Sequence, residues 1–215
     1  MSRPVAIIAA ALLLAGCAET QQERVRELTD DAVHLYRRGA YADARDTFQL
    51  ALAQRPDDGD LIYNLARCHD KLGNAAEADK LYQRCLERAP DHLQARHALL
   101  VRQVEAGRHA EAVQAVQTWL RASPNLAGPY IEDGWLRARD GDLDNARARL
   151  QQAIDREPRH PRALAELAAI YEKLGRPERA VVLYQRSLDA DADQPAIAQR
   201  LQELRARGVS APHPD

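Results

Sequence analysis

Glycine falls at positions 39, 73, 107, 141 and 175, every 34 residues along a chain of 215 that holds only 10 glycines. A fixed period of this length means one supersecondary unit repeated in tandem, with neighbours stacking to bury a continuous core. Two more registers run in step with it: alanines at 44, 78, 112, 146 and 180, and prolines at 56, 90, 124 and 158. Large residues recur at Phe48, Tyr82, Val116, Leu150 and Tyr184, and aliphatic ones at Leu52, Leu86, Leu120, Ile154 and Leu188. These two sets lie four residues apart, on one face of a helix. Each unit therefore reads as two helices, the first ending at its glycine, where left-handed backbone costs little, and the second ending before its proline. Antiparallel helices approach closely only where the crossing residue is small, and Ala32, Ala66, Gly134 and Ala168 are placed to face Ala44, Ala78, Ala146 and Ala180. Leu100 departs from this rule in the third unit.

The period and these residues resemble the tetratricopeptide repeat, whose pattern runs aromatic, Leu-Gly, aromatic, Gly, Ala, aromatic, Pro. Tyr63-Asn64-Leu65-Ala66 and Ile170-Tyr171-Glu172-Lys173-Leu174-Gly175 are close matches. The resemblance implies an all-α, right-handed superhelical solenoid of five helix-turn-helix repeats, 25–58, 59–92, 93–126, 127–160 and 161–194. Residues 195–207 carry Ile197, Leu201 and Leu204 at helical spacing among polar residues, as a capping helix requires. Residues 208–215 have no periodicity and read as a disordered tail.

The amino terminus reads as an address. Arg3 is a short positive region, Val5 to Leu14 are ten uninterrupted apolar residues, and small residues then precede a cysteine, as in a secretory leader spanning 1–16. Ten apolar residues are too few for a spanning helix, which needs roughly 20. Leu14-Ala15-Gly16-Cys17 resembles the bacterial lipobox, which implies cleavage before Cys17 and acylation of that cysteine. Acyl chains contribute about 0.8 kcal/mol per buried methylene, so the chain is expected to be anchored without spanning, with 17–24 as the lipidated tether. Ala18, in place of the Asp of inner-membrane retention, favours the periplasmic face of an outer membrane.

In the family the first helices of successive repeats line a concave groove that holds a peptide. The resemblance places Tyr36 in the first repeat there, Tyr63, Asn64 and Arg67 in the second, Val101 and Val104 in the third, and Ile131 and Trp135 in the fourth. For Tyr63, Asn64 and Trp135 a packing or solvated role competes evenly with a binding one. The subtype that clamps C-terminal carboxylates of chaperone tails wants cations and an Asn where this chain has Thr29, Val33, Gln94 and Ala98; only Asn64 fits. An apolar middle bordered by charge suits a peptide with apolar anchors. Asp133 and Arg137 stand where a leucine and an aromatic normally fill the interior; four apart, they can pair, either as a partly exposed ion pair or as a hinge or partner site.

Chemistry of other kinds finds no footing. Thirty Lys and Arg against 32 Asp and Glu leave a net charge of −2, which excludes the basic footprint of a general nucleic-acid binder. The seven histidines form no i, i+4 pair, so no metal is expected. Cys68 and Cys85 read as small core residues, offset by roughly 9 Å along a helix pair, too far for an easy disulfide. No phosphate loop, nucleophile elbow or clustered acid pair is present, and neither an enzyme activity, a cofactor nor a small-molecule substrate is expected. What remains is a lipid-anchored envelope scaffold with a protein partner, similar in plan to pilus-assembly lipoproteins of the PilF/PilW and TadD types. The alternatives are an NlpI-like adaptor for periplasmic peptidoglycan hydrolases or proteases, and a self-associating structural solenoid.

Overall fold

The computed structural model describes residues 3–211, with side chains from Thr20 onward. The described residues form eleven α-helices and no strand. They are α1 (Arg3–Arg37), α2 (Tyr41–Gln54), α3 (Gly59–Lys71), α4 (Ala75–Arg88), α5 (Leu93–Glu105), α6 (His109–Ala122), α7 (Gly128–Arg139), α8 (Leu143–Arg156), α9 (Pro161–Lys173), α10 (Pro177–Ala190) and α11 (Pro195–Ala206). The chain divides into two compact units, Met1–Arg102 and Gln103–Asp215. In the first, α1 packs on α2, α2 on α3 and α3 on α4; in the second, each helix from α6 to α11 packs on the next, and α7 also meets α9. The segment 18–24 lies within α1, so the stretch expected to act as a tether continues the first helix. The side chains of the leader and of Cys17 lie outside the described residues, as does 212–215 of the tail.

Two backbone devices recur at the 34-residue period. At the end of each first helix the glycine takes a left-handed conformation, with φ of 80°, 77°, 75°, 81° and 70° at Gly39, Gly73, Gly107, Gly141 and Gly175. Around Gly73 the Gly73 amide donates to the Asp70 carbonyl at 3.0 Å and the Asn74 amide to the His69 carbonyl at 2.9 Å, which satisfies the last carbonyls of α3. At the end of the first four second helices the proline sits second in a four-residue turn, where its fixed φ is an advantage. Asp58, His92, Leu126 and His160 close these turns by donating to the carbonyls of Arg55, Ala89, Ser123 and Glu157 at 3.0–3.2 Å.

The carbonyls of all four periodic prolines also accept from arginine. Arg84 donates to Pro56 and Arg96 to Pro90, both at 2.6 Å; Arg156 donates to Pro124 at 2.9 Å and Arg186 to Pro158 at 3.1 Å. Each guanidinium places positive charge near the negative end of a second helix.

Cores form as the register demands. Phe48, Tyr82, Val116, Leu150 and Tyr184 are all buried, as are Ala32, Ala66, Gly134 and Ala168 and the alanines set opposite them. A Cβ built on Gly134 would lie 2.7 Å from Leu150 Cγ and 3.3 Å from the Ala146 carbonyl oxygen, so the α7–α8 crossing admits only glycine without movement. Cys68 and Cys85 are buried free thiols, each pushed up to about 11, mainly by loss of water around the thiolate. Cys85 Sγ donates to the Gly59 carbonyl at 3.2 Å, and Ser187, three repeats on, donates to Pro161 from the same register position at 2.8 Å.

Candidate functional site

The eight residues expected to line a groove fall into both units. In the first unit four of them come together. Arg67, on α3, holds its guanidinium carbon 4.3 Å from the Tyr36 ring centroid and 5.7 Å from that of Tyr63. One turn back on the same helix, Asn64 accepts a hydrogen bond from Arg67 at 3.3 Å. Tyr36 meets Tyr41 edge-on at 5.1 Å, and Tyr63 lies 4.6 Å from the His92 ring and 5.9 Å from that of Tyr82. Tyr36, Tyr63, Asn64 and Arg67 are each partly exposed, as is Val101 on α5.

Carboxylates near this cluster are engaged elsewhere. Asp70, three residues beyond Arg67, accepts from Tyr82 at 2.8 Å and from Arg102 at 2.6 Å, while Arg102 also grips Asp79 and the Ala75 carbonyl. Burial and the Asp70 carboxylate both hold the Tyr82 phenol protonated far above its ordinary range. His92 pairs with Asp60 at 3.2 Å and accepts the Ala95 amide at 3.2 Å, capping α5.

In the second unit the expected groove residues behave differently. Trp135, partly buried, carries Arg139 5.3 Å above its ring, and Val104 is partly exposed. Ile131 is fully buried and offers nothing to a partner, which corrects its placement in a groove. The cause is that α7 is enclosed by α6, α8 and α9, and four consecutive residues, Ile131 to Gly134, are buried around its whole circumference.

Two carboxylates are enclosed there. Asp133 pairs with Arg137 at 3.2 Å as its spacing allows, and Arg149 adds a second contact at 2.6 Å; the carboxylate end is buried, only 4% exposed, while both guanidiniums are partly exposed. Arg137 reaches on to Asp142 at 3.2 Å. Its neighbour Glu132, which sequence reasoning missed, is fully buried and held bidentately by Arg162 at 2.6 and 3.3 Å. Arg162 comes from α9, thirty residues on, and no local spacing announces it.

Among the described residues no group of three or more His, Cys, Asp or Glu is arranged to hold a metal ion. A tetratricopeptide repeat family model matches residues 35–102 and 137–204, more than half of the chain. The chain belongs to the tetratricopeptide repeat family. It is 26% identical, over 94% of its length, to cellulose synthase operon protein C of Xanthomonas axonopodis pv. citri, and 28% identical, over 69%, to a TPR repeat-containing protein of Pseudomonas aeruginosa. It spans only 17% and 28% of the length of these curated relatives. Among solved structures it is similar to a thermophilic TPR protein of Thermus thermophilus, with a TM-score of 0.61 and 26% identity over 85% of this chain and 99% of that one.

As a TPR protein the chain is a scaffold of a class that binds proteins or peptides. What this TPR chain presents for that purpose in its first unit is a guanidinium held between two aromatic rings, with an amide beside it that both donates and accepts. Such groups bind by charge-assisted hydrogen bonding and stacking.

Proposed function

We propose that this TPR protein is a scaffold of the bacterial cell envelope, held to a membrane by acyl chains on Cys17, which engages a segment of a protein partner on the faces of its first helices in the assembly of a pilus or secretin. The observation that carries the binding reading is the Tyr36, Tyr63, Asn64 and Arg67 cluster, four partly exposed residues of stacking and hydrogen-bonding type on α1 and α3. The anchoring reading is supported by Leu14-Ala15-Gly16-Cys17 following an apolar run, and by the bacterial origin of the relatives. Among the described residues no helix is long and apolar enough to cross a membrane. Ala18 supports the outer membrane where the cell has two.

Two measurements test the parts separately. Cys17→Ser is expected to abolish palmitate labelling and to move the protein from the membrane to the soluble fraction; continued membrane association rejects the anchor. In-cell crosslinking followed by mass spectrometry is expected to yield a partner that Tyr63→Ala loses while the fold persists. A secretin or pilus component among the lost partners supports the assigned pathway, a peptidoglycan hydrolase or protease replaces it, and partners unaffected by the substitution reject the first-helix faces as the working surface.

A further inference from the structure

Resting on the reading that the first-helix faces hold a protein partner, we infer that Arg67 is the docking point for a carboxylate side chain, so that the segment bound on α1 and α3 is acidic. The argument begins with how this molecule treats its arginines. Among the described residues every other partly buried arginine is held by a carboxylate or a backbone carbonyl. Arg45, Arg102, Arg137, Arg147, Arg149, Arg162 and Arg200 have carboxylate partners, and Arg84 and Arg96 have prolyl carbonyls. Arg67 has neither: its contacts are two tyrosine rings and the Asn64 amide oxygen.

A guanidinium has five N–H donors, of which Asn64 takes one. Ring faces attract the charge but do not neutralise it, and they restrict the side chain to one place, so little rotamer freedom is lost when an anion arrives. The carboxylate best placed on its own helix, Asp70, is committed to Arg102 and Tyr82, and Asp60 pairs with His92. Lys71, exposed and four residues beyond Arg67, puts a second cation on the same face of α3. A positioned, unneutralised guanidinium with an adjacent cation selects a carboxylate, which it binds bidentately. Asn64 is left to hold the backbone of the same segment.

The test uses the full chain in detergent micelles, titrated with three nine-residue peptides: an end-blocked one alternating Glu and Ala, its Gln counterpart, and the Gln peptide with a free carboxyl terminus. Nuclear magnetic resonance reads the Arg67 Nε–H signal, assigned by its loss in Arg67→Met. The Glu peptide is expected to shift that signal saturably, and its affinity to fall about tenfold in Arg67→Met and two- to threefold in Lys71→Met, with little change in Arg139→Met on the other unit. Binding is expected to weaken with added salt, as exposed charge contacts do. Equal shifts from the Gln peptide, or undiminished binding of the Glu peptide to Arg67→Met, overturn the inference. A response confined to the free-ended Gln peptide also overturns it, because the occupant is then a chain terminus. If in-cell partners are lost in Tyr63→Ala but kept in Arg67→Met, the acidic segment fails while the scaffold reading stands.

Discussion

Helices α3 and α7 hold corresponding places in their repeats, 68 residues apart, yet they treat charge in opposite ways. Arg67 on α3 stacks between two tyrosines with no carboxylate partner, and Asn64 beside it is partly exposed. On α7 the residue in the Asn64 register is Glu132, fully buried under Arg162, and the residue in the Leu65 register is Asp133, buried and paired with the partly exposed Arg137 and Arg149. Charge that the fold neutralises internally serves the fold; charge it positions and leaves unneutralised is available to something else. The same stretch of repeat can thus be a binding surface in one unit and a polar core in the other.

Exchanging the two arginines for an uncharged residue of similar length should sharpen this contrast most. Arg162→Met removes the bidentate guanidinium partner of the buried Glu132 and is expected to cost about 3–5 kcal/mol, the range for a broken interior ion pair. Arg67→Met leaves no buried charge behind and is expected to cost no more than about 1 kcal/mol, the worth of a partly exposed cation–ring contact. Urea denaturation followed by circular dichroism measures both, and equal losses would dissolve the distinction between the two helices.

The crossing points test the same pair of helices at smaller magnitude. Gly134→Ala places a Cβ 2.7 Å from Leu150 Cγ and is expected to cost about 1–3 kcal/mol through overpacking. The equivalent residue of α3 is Ala66, already a methyl in a buried crossing, and Ala66→Gly is expected to cost about 1 kcal/mol through helix propensity and a lost contact. Opposite substitutions should therefore both destabilise, because α7 packs closer to its partner than a methyl allows. Thermal melts of the two variants read this directly.

Much of this was legible in the chain because the signal was periodic. The left-handed glycines, the proline turns and the small crossing residues repeat at one spacing, and each repetition strengthens the reading of the others. Register alone also brought Tyr36, Tyr63, Asn64 and Arg67 together, since positions on first helices determine which faces adjoin. It misplaced Ile131 because a register position names a face but not how tightly neighbours enclose it: α7 is packed against three helices, and Gly134 lets it approach α8 more closely than a methyl would allow. Glu132 stayed hidden because a charge pair thirty residues apart has no spacing rule, and 62 charged residues offer many candidates. One buried pairing was readable after the fact. Tyrosine occupies the core position of the second helix in two repeats, Tyr82 and Tyr184, and in both a carboxylate stands twelve residues earlier to accept its hydroxyl, Asp70 and Glu172, each at 2.8 Å. Where the core residue is Phe48, Val116 or Leu150 that position is Tyr36, Val104 or Ala138, with no carboxylate. Tyr82→Phe and Tyr184→Phe are each expected to cost about 1 kcal/mol, the net worth of one hydrogen bond, in whichever unit the tyrosine lies.

The smallest effect separates the helix starts. The Asp58 carboxylate accepts the Asp60 and Leu61 amides at 3.1 and 3.2 Å and caps α3, whereas α9 is capped by His160, whose Nδ1 accepts the Ala163 amide at 3.3 Å. That acceptor exists only in the neutral imidazole, and a protonated ring would face the positive end of the helix. Burial holds the His160 imidazole below its ordinary value of 6.5; Arg162 pushes the same way, and Glu157 opposes both. A pKa lower in the folded state than in the unfolded one means that the unfolded chain binds the extra proton first. The contribution of this cap is therefore complete above pH 6.5 and is lost as pH falls through the folded value. Glu172, lowered below its ordinary 4.5 by Arg200 and Tyr184 against the opposing effect of burial, loses its contribution only in stronger acid. Between pH 7 and pH 5 the melting temperature of wild type should consequently drop further than that of His160→Asn, whose amide caps α9 without titrating, by an amount equivalent to at most the roughly 1 kcal/mol that an N-cap contributes. Parallel curves for the two proteins would show that the imidazole keeps its cap in acid and that α3 and α9 begin on equal terms.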